Sequence, residues 1–334
     1  LSHIHKHVLI GIAATLLSWG SVNAVRAQAP AAVTNYPDKT IRIVVPSTPA
    51  GGNDFLARVL GAKLAKMWGQ KVLIENRPGA GGIIGSEAVA KAEPDGYTLL
   101  IVATGYTVNP SIYAKLPYDT LKDFAPVTLL ASTTHVLVIN PAVKARSIGE
   151  LMAQARSAPG SLTYAQSGLG TGGYLCGELM KTTAQIDMLS IAYKGAGEAV
   201  SGVLSGHTDM LFTQLGPVMN HIKAGKLIPL ATTSLTRNAD LPNIPTLDES
   251  GLTGFEVDAW SGILAPAGTP AAIIKKLQEQ IHLAINEPDV KEILNTQGFI
   301  PIGNTPAEFD KMIRKDIAKW ADLIKQAGIK PQGG

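Results

Sequence analysis

The sequence predicts an α/β fold of two parallel-sheet-rich domains, with the chain crossing between them twice. Three features predict it. Short runs rich in β-branched residues alternate with helical stretches between residues 41 and 102. The same alternation recurs between residues 147 and 232. Two long extended runs stand where a chain would pass from one domain to the other. A chain of 334 residues can bury two cores of ordinary size.

In the first series, Ile41–Val45 reads as a strand. Asn53 to Trp68 then carries Phe55, Leu56, Val59, Leu60, Leu64 and Met67 at helical spacing. Val72-Leu73-Ile74 is the next strand, Ile83 to Ala92 the next helix, and Thr98 to Val102 a third strand. A β-α-β-α-β order implies a parallel sheet covered by helices. In the second series, Ser147 to Ser157 is a helix with a capping box from Ser147 to Glu150. Strand Leu162–Ala165, a helix after Thr171, and strand Leu189–Tyr193 follow. Helix Gly197–Leu204, strand Asp209–Phe212, helix Pro217–Ala224 and strand Leu227–Thr232 complete it.

Val127 to Ala131 and His135 to Ile139 are consecutive extended runs separated by Ser132-Thr133-Thr134, and Phe255 to Leu264 is a similar run. Two crossings there assign residues 36–134 and 255–334 to one domain and 135–254 to the other. The C-terminal part is helical. One helix starts at Thr269-Pro270, with the threonine as N-cap, and runs to about Asn286. Another starts at Thr305-Pro306-Ala307-Glu308 and reaches Ala327, with Gly328 as its stop.

The N-terminus has the three parts of a secretory signal: His3, His5, Lys6 and His7, then an apolar run from Val8 to Trp19, then small residues at Ala24, Ala27 and Ala29. The apolar run is too short to span a bilayer. Cleavage is expected after Ala27 or Ala29, with residues 1–27 as the signal peptide of an exported protein. Removing 1–27 takes away Lys6 and Arg26 and no acid, so the net charge falls from +3 to +1. A near-neutral surface cannot steer anions over a distance, so any anion site has to be local. Aromatics are 5% and no basic run interleaves with them, which argues against a nucleic-acid partner. Cys176 is the only cysteine, in a half-apolar helical setting, and reads as a packed core thiol.

The segment Pro46-Ser47-Thr48-Pro49-Ala50-Gly51-Gly52-Asn53-Asp54 follows a strand and opens a helix. Glycines let a ligand approach the backbone, and a helix start offers free amides and a partial positive charge. Such a turn receives a carboxylate or phosphate, unless it is only a tight turn capped by Asn53 or Asp54, with Asp54 paired to Arg58. Gln166-Ser167-Gly168-Leu169-Gly170-Thr171-Gly172-Gly173-Tyr174 has the same position in the other domain. Two such turns, one per domain, make a shared cleft the better reading. Thr104 and Gly105 follow the third strand and could supply hydroxyl and backbone contacts. Lys194-Gly195 and Thr213-Gln214 occupy the matching strand ends. Lys194 could pair with a carboxylate or be a solvated surface lysine. Asn76 to Gly82 could add amides and the cation of Arg77, or be a bend with Arg77 paired to a local acid.

Two enzymatic alternatives are weighed. Gly168, Gly170 and Gly173 match Gly-x-Gly-x-x-Gly, but the acid a dinucleotide ribose needs is missing. Asp187 lies at the start of the next apolar run, and that run ends in Tyr193-Lys194-Gly195. For a secreted hydrolase there is no Gly-x-Ser-x-Gly elbow, and His135, His207, His221 and His282 have no metal-ligand spacing. No catalytic residue, metal or cofactor is expected, and a binding protein is preferred to an enzyme.

Many short segments resemble, in order, the Bug-type substrate-binding proteins of tripartite tricarboxylate transporters. They are Tyr36-Pro37 with Ile41 to Pro46; Ala50 to Arg58; Glu75 to Gly82; Pro94 to Leu100; Asn109-Pro110; Leu116 to Asp119; Lys122 to Val127; Tyr193-Lys194-Gly195; and Ala265 to Pro270. The resemblance covers about Tyr36 to Gly328. It implies a type II periplasmic-binding-protein architecture with a hinged cleft and two crossings. It also implies a monomeric periplasmic protein that hands a small organic carboxylate to membrane permease subunits. In that family two loops clasp the ligand carboxylate, and here they correspond to Ser47–Asp54 and Ser167–Tyr174. Ser47 stands where many members carry Phe or Tyr, Gly172 and Gly173 where serines are common, and Tyr174 where histidine is common. The second loop should therefore rely more on backbone amides.

Overall fold

The computed structural model describes residues 35–326 together with 328, 329 and 331. The expected signal and its cleavage points at Ala27 and Ala29 lie outside the described residues. In the first half, strand β1 (Ile41–Val45) lies between β2 (Val72–Asn76) and β3 (Thr98–Ala103), all parallel. Helix α1 (Gly52–Trp68) connects β1 to β2, and α2 (Ile83–Ala90) connects β2 to β3. A short helix, α3 (Gly105–Ile112), follows β3 directly.

The chain then enters β4 (Phe124–Ile139), 16 residues without a break. Helix α4 (Ile148–Ser157) leads into a second parallel set. There β5 (Thr163–Gln166) lies between β6 (Leu189–Ala192) and β7 (Met210–Gln214). Helices α5 (Gly172–Ala184) and α6 (Ala196–Leu204) make the crossovers. Then come α7 (Leu215–Lys223), β8 (Ile228–Thr232) and β9 (Asp258–Pro266). Helices α8 (Ala271–Asn286) and α9 (Pro288–Thr296), strand β10 (Ile300–Pro301) and helix α10 (Pro306–Gln326) end the fold.

The sheet runs β2-β1-β3-β9-β4-β7-β5-β6, with β8 and β10 also on β4. Its outer parts are two parallel triplets, as the alternation predicts, but the fourth strand of the second series, β8, pairs antiparallel with β4 instead of extending the parallel set. Its centre is antiparallel, because β9 pairs antiparallel with both β3 and β4, and β4 does so with β7 and β8. The sheet is thus mixed.

Ser132-Thr133-Thr134 do not separate two runs as the sequence suggested. They continue β4, paired to Trp260, Ala259 and Asp258 of β9. The threonines are β-branched and suit a strand, and the partner ladder supplies their backbone bonds. Thr269 is not the N-cap of α8, since its hydroxyl donates to the Pro266 carbonyl and the helix begins two residues later. Thr305 does cap α10: its Oγ accepts from the Glu308 amide at 3.3 Å, and Glu308 returns a bond to the Thr305 amide at 2.9 Å. Helices α3 and α9 were not anticipated. Pro110 lies inside α3, and α9 is only nine residues long with Val290 and Leu294 as its buried pair, too short for its period to stand out.

From Tyr36 onward the chain is one compact unit. Helix α10 shows why. Phe309 and Ile313 pack with Val44 of β1 and Leu100 of β3, while Trp320 and Ile324 pack with Leu137 of β4 and Tyr164 of β5. Each such buried side chain contributes roughly 1.5–3 kcal/mol relative to exposure. Cys176 is fully buried in the second of these cores, and burial pushes its thiol pKa well up.

Candidate ligand-binding cleft

The carboxyl ends of both parallel triplets open into one cavity of about 390 Å³. Loop residues after β1, β2, β3, β5 and β6, and the last residues of β7 itself, contribute to its wall. Parallel strands collect their βα turns at one edge, which is why residues far apart in sequence meet here.

Four helices place their first residue on this wall: Gly52 of α1, Gly105 of α3, Gly172 of α5 and Ala196 of α6. Helix starts leave backbone amides without intrahelical partners. The residues before α1 and α6, Gly51 and Gly195, are glycines with no side chain to cap those amides. In α5, Thr171 caps only the Tyr174 amide, at 3.4 Å. Among the described residues that line the cavity there is no Asp or Glu, and Lys194 is the one lysine or arginine. The wall therefore presents amides, hydroxyls and helix-start dipoles of one sign, which suits an anion.

Ser47, Thr48, Gly51, Gly52, Asn53, Thr104 and Gly105 line the cavity from the first half of the chain. Ser167, Gly170, Thr171, Gly172, Gly173, Lys194, Gly195, Thr213 and Gln214 line it from the second. Asp54 and Tyr174 do not. Asp54 turns off the wall and accepts bonds from Arg58 Nε, the Ala50 amide and Asn76 Nδ2, each at 3.0 Å. Burial pushes its pKa up, but these bonds prevail and hold it below the usual carboxylate value. It braces the β1–α1 turn. Tyr174 points into the core beside Leu175 and Cys176, where burial raises its phenol to about 12. Arg77 is paired with Glu75 at 2.6 Å and is not on the wall, whereas Pro78 to Gly82 are.

The sequence reading missed Asn109, His135 and Trp260, which complete the wall. Three buried polar atoms on lining residues lack a hydrogen-bond partner: Ser47 Oγ, Asn109 Oδ1 and His135 Nδ1. Each of these atoms is itself closed off from solvent, so they lie behind the wall and not on its open surface.

The loops of the two halves already touch across the cavity. A Cβ on Gly52 would overlap the Gln214 carboxamide, one on Gly195 would overlap the Thr48 hydroxyl, and one on Gly105 would lie 2.7 Å from the Gly170 carbonyl oxygen. Gly105 and Gly170 thus approach backbone to backbone, while the other two contacts set glycine backbone against a side chain. The dinucleotide alternative gains nothing: Asp187 precedes β6, at the end away from the cavity-lining Tyr193. Among the described residues no group of His, Cys, Asp and Glu could hold a metal ion.

A sequence model of the tripartite tricarboxylate transporter family receptor matches residues 56–329. The BugT protein of Bordetella pertussis is 37% identical over 310 residues, 90% of this chain and 93% of its own length. The structure of the periplasmic binding protein BugD is 32% identical with a TM-score of 0.85, covering 89% of this chain and 100% of BugD. Rpa4515 of R. palustris, solved with adipate, is also 32% identical with a TM-score of 0.85, over 89% of this chain and 99% of its own. The fold is that of the periplasmic binding proteins, and the chain belongs to the tripartite tricarboxylate transporter receptor family, beside its Bug-type members.

Proposed function

We propose that this chain is an exported, monomeric receptor that captures a small organic carboxylate in the cleft and presents it to the membrane permease subunits of a tripartite tricarboxylate transporter. Residues 36–134 with 255–334 act as one lobe and 135–254 as the other. The observation that carries the reading is the convergence of four helix starts on one cavity whose described lining residues include no carboxylate. The adipate held by Rpa4515 supports the ligand class. The cavity is near the lower end of the roughly 300–1,000 Å³ usual for small-molecule sites, which suits a compact acid.

The residues act by bridging. Gly51 to Asn53 of one lobe and Gly170 to Gly173 of the other direct amides at the same oxygens, so the ligand joins lobes that are otherwise free to part. Contacts made only when the lobes meet set the affinity. Lys194, at the rim, adds a cation that draws a carboxylate inward. Ser47, Thr48, Thr104 and Thr213 supply hydroxyls that can donate or accept.

A thermal-shift screen of the full-length mature protein against mono-, di- and tricarboxylates, with native mass spectrometry of the best acids, tests this. The expected result is one unaltered acid per chain and a rise in melting temperature. Turnover of a bound acid, or no stabilisation by any acid, would remove the reading.

A further inference from the structure

At the point where β4 changes partners, one imidazole faces the cleft. Thr134 still pairs with Asp258 of β9, and the next residue, His135, pairs with Gln214 of β7. His135 is 6% exposed and lines the cavity; its Nδ1 is closed off from solvent and makes no hydrogen bond of good geometry, which leaves Nε2 as the ring nitrogen that can meet a ligand. Its ring packs on Gly172, the first residue of α5. A Cβ added there would overlap Cε1 and stand 2.6 Å from Nε2, against 3.6 Å from Nδ1. The Cε1–Nε2 edge therefore borders the amides that open α5. Residue 172 has to be glycine for the ring to occupy this position.

Burial lowers the ring pKa to about 4, with the Val257 carbonyl opposing only in part, so the ring is neutral near pH 7. A neutral imidazole offers one donor and one acceptor. It can therefore pair with a carboxylate or a hydroxyl, and an alkyl or aryl group in the same place leaves it unsatisfied.

We propose that His135 is a ligand-contacting, specificity-determining residue, hydrogen-bonding an oxygen of the bound acid beside the α5 amides and selecting against acids that present hydrocarbon there. The proposal rests on the carboxylate reading above and adds a residue and a selectivity to it. Pairs of acids that differ by one carboxyl replaced with methyl, adipate with hexanoate and succinate with butyrate, are the probes, titrated calorimetrically. For each dicarboxylate that the wild-type protein binds, His135→Leu should weaken binding about tenfold or more and narrow the preference over its methyl analogue. His135→Asn, which keeps a donor and an acceptor, should stay within a few-fold of wild type. Gly172→Ser alone should displace the ring and weaken binding, and Gly172→Ser in a His135→Ala background, where the ring is gone, should restore part of it.

Wild-type affinity and preference in a folded His135→Leu protein would overturn the proposal and leave the carboxylate reading standing. If His135→Leu fails to fold, the His135→Ala protein decides: an unchanged preference for a dicarboxylate over its methyl analogue overturns the proposal, and a narrowed one supports it. A wild-type protein that binds no acid removes the carboxylate reading itself, and the proposal with it.

Discussion

The indole Nε1 of Trp260, on the cleft wall, donates to Asp316 Oδ2 of α10 at 2.8 Å. The ring also meets Phe309 edge-on, with centroids 5.6 Å apart and planes at 86°. One face of the site is thus anchored to the helix that ties both cores together. Burial raises the Asp316 pKa above the ordinary carboxylate value, while the Trp260 bond and Lys319 pull it back only in part.

A carboxyl whose folded pKa is raised contributes most when protonated, and that contribution is lost as pH rises from the ordinary value through the folded one. Asp316→Asn keeps an acceptor for the indole and removes the buried charge. It should melt at or above wild type at pH 7. Trp260→Phe leaves the carboxylate without that donor and should cost about 1–3 kcal/mol. Thermal melts at pH 7 check both, and a strongly destabilised Asp316→Asn would contradict the assignment.

The His135 pKa is held at about 4, against an ordinary 6.5. Between these values the unfolded chain takes up a proton that the folded chain refuses, so stability should fall as pH drops from about 6.5 to 4. The loss should be on the order of 3 kcal/mol. Urea midpoints across that window should flatten in His135→Gln. An unchanged pH profile in the variant would show that the ring is not the group responsible.

Gly105 begins α3 and faces the Gly170 carbonyl across the cleft. Alanine suits a helix start, so Gly105→Ala should leave the ligand-free stability within about 0.5 kcal/mol. Its methyl group meets backbone, which cannot rotate aside, and the lobes should fail to seat. Calorimetry should show affinity reduced about tenfold or more, and small-angle scattering with ligand should show a wider molecule than wild type.

Ala50 adopts φ 66°, the left-handed region that disfavours a Cβ. The strain is roughly 1–2 kcal/mol, and glycine in the unfolded chain gives back about 0.5–1. Ala50→Gly should therefore stabilise the protein by about 0.5 kcal/mol, provided the amide keeps its bond to Asp54. Chemical denaturation measures it, and any loss of stability would contradict this account.

Much of this architecture was legible in the sequence, because alternating strands and amphipathic helices announce themselves by period. Ile41–Val45 and Asn53–Trp68 are found within a residue of where the pattern put them. The glycine turns were legible for the same reason: a strand, two or three glycines and a helix start form a local unit. Asn109, His135 and Trp260 were not, because each reaches the cleft only through tertiary pairing. His135 is one histidine in a run of β-formers, and its place on the wall depends on β4 exchanging β9 for β7 between Thr134 and His135. Asp54 and Tyr174 sit in the anticipated turns, but a helix sends successive side chains in different directions, and theirs leave the cleft.

The unbroken run of β4 limits how the receptor can move. A flexible linker bends anywhere along its length, whereas a ribbon bonded to neighbours on both edges resists bending and yields mainly in torsion. Opening should accordingly resemble the wringing of a strip about its long axis, small in angle and elastic in return, with ligand release driven by that recoil. An acid pressing on His135 would bear on the strip where its neighbours change.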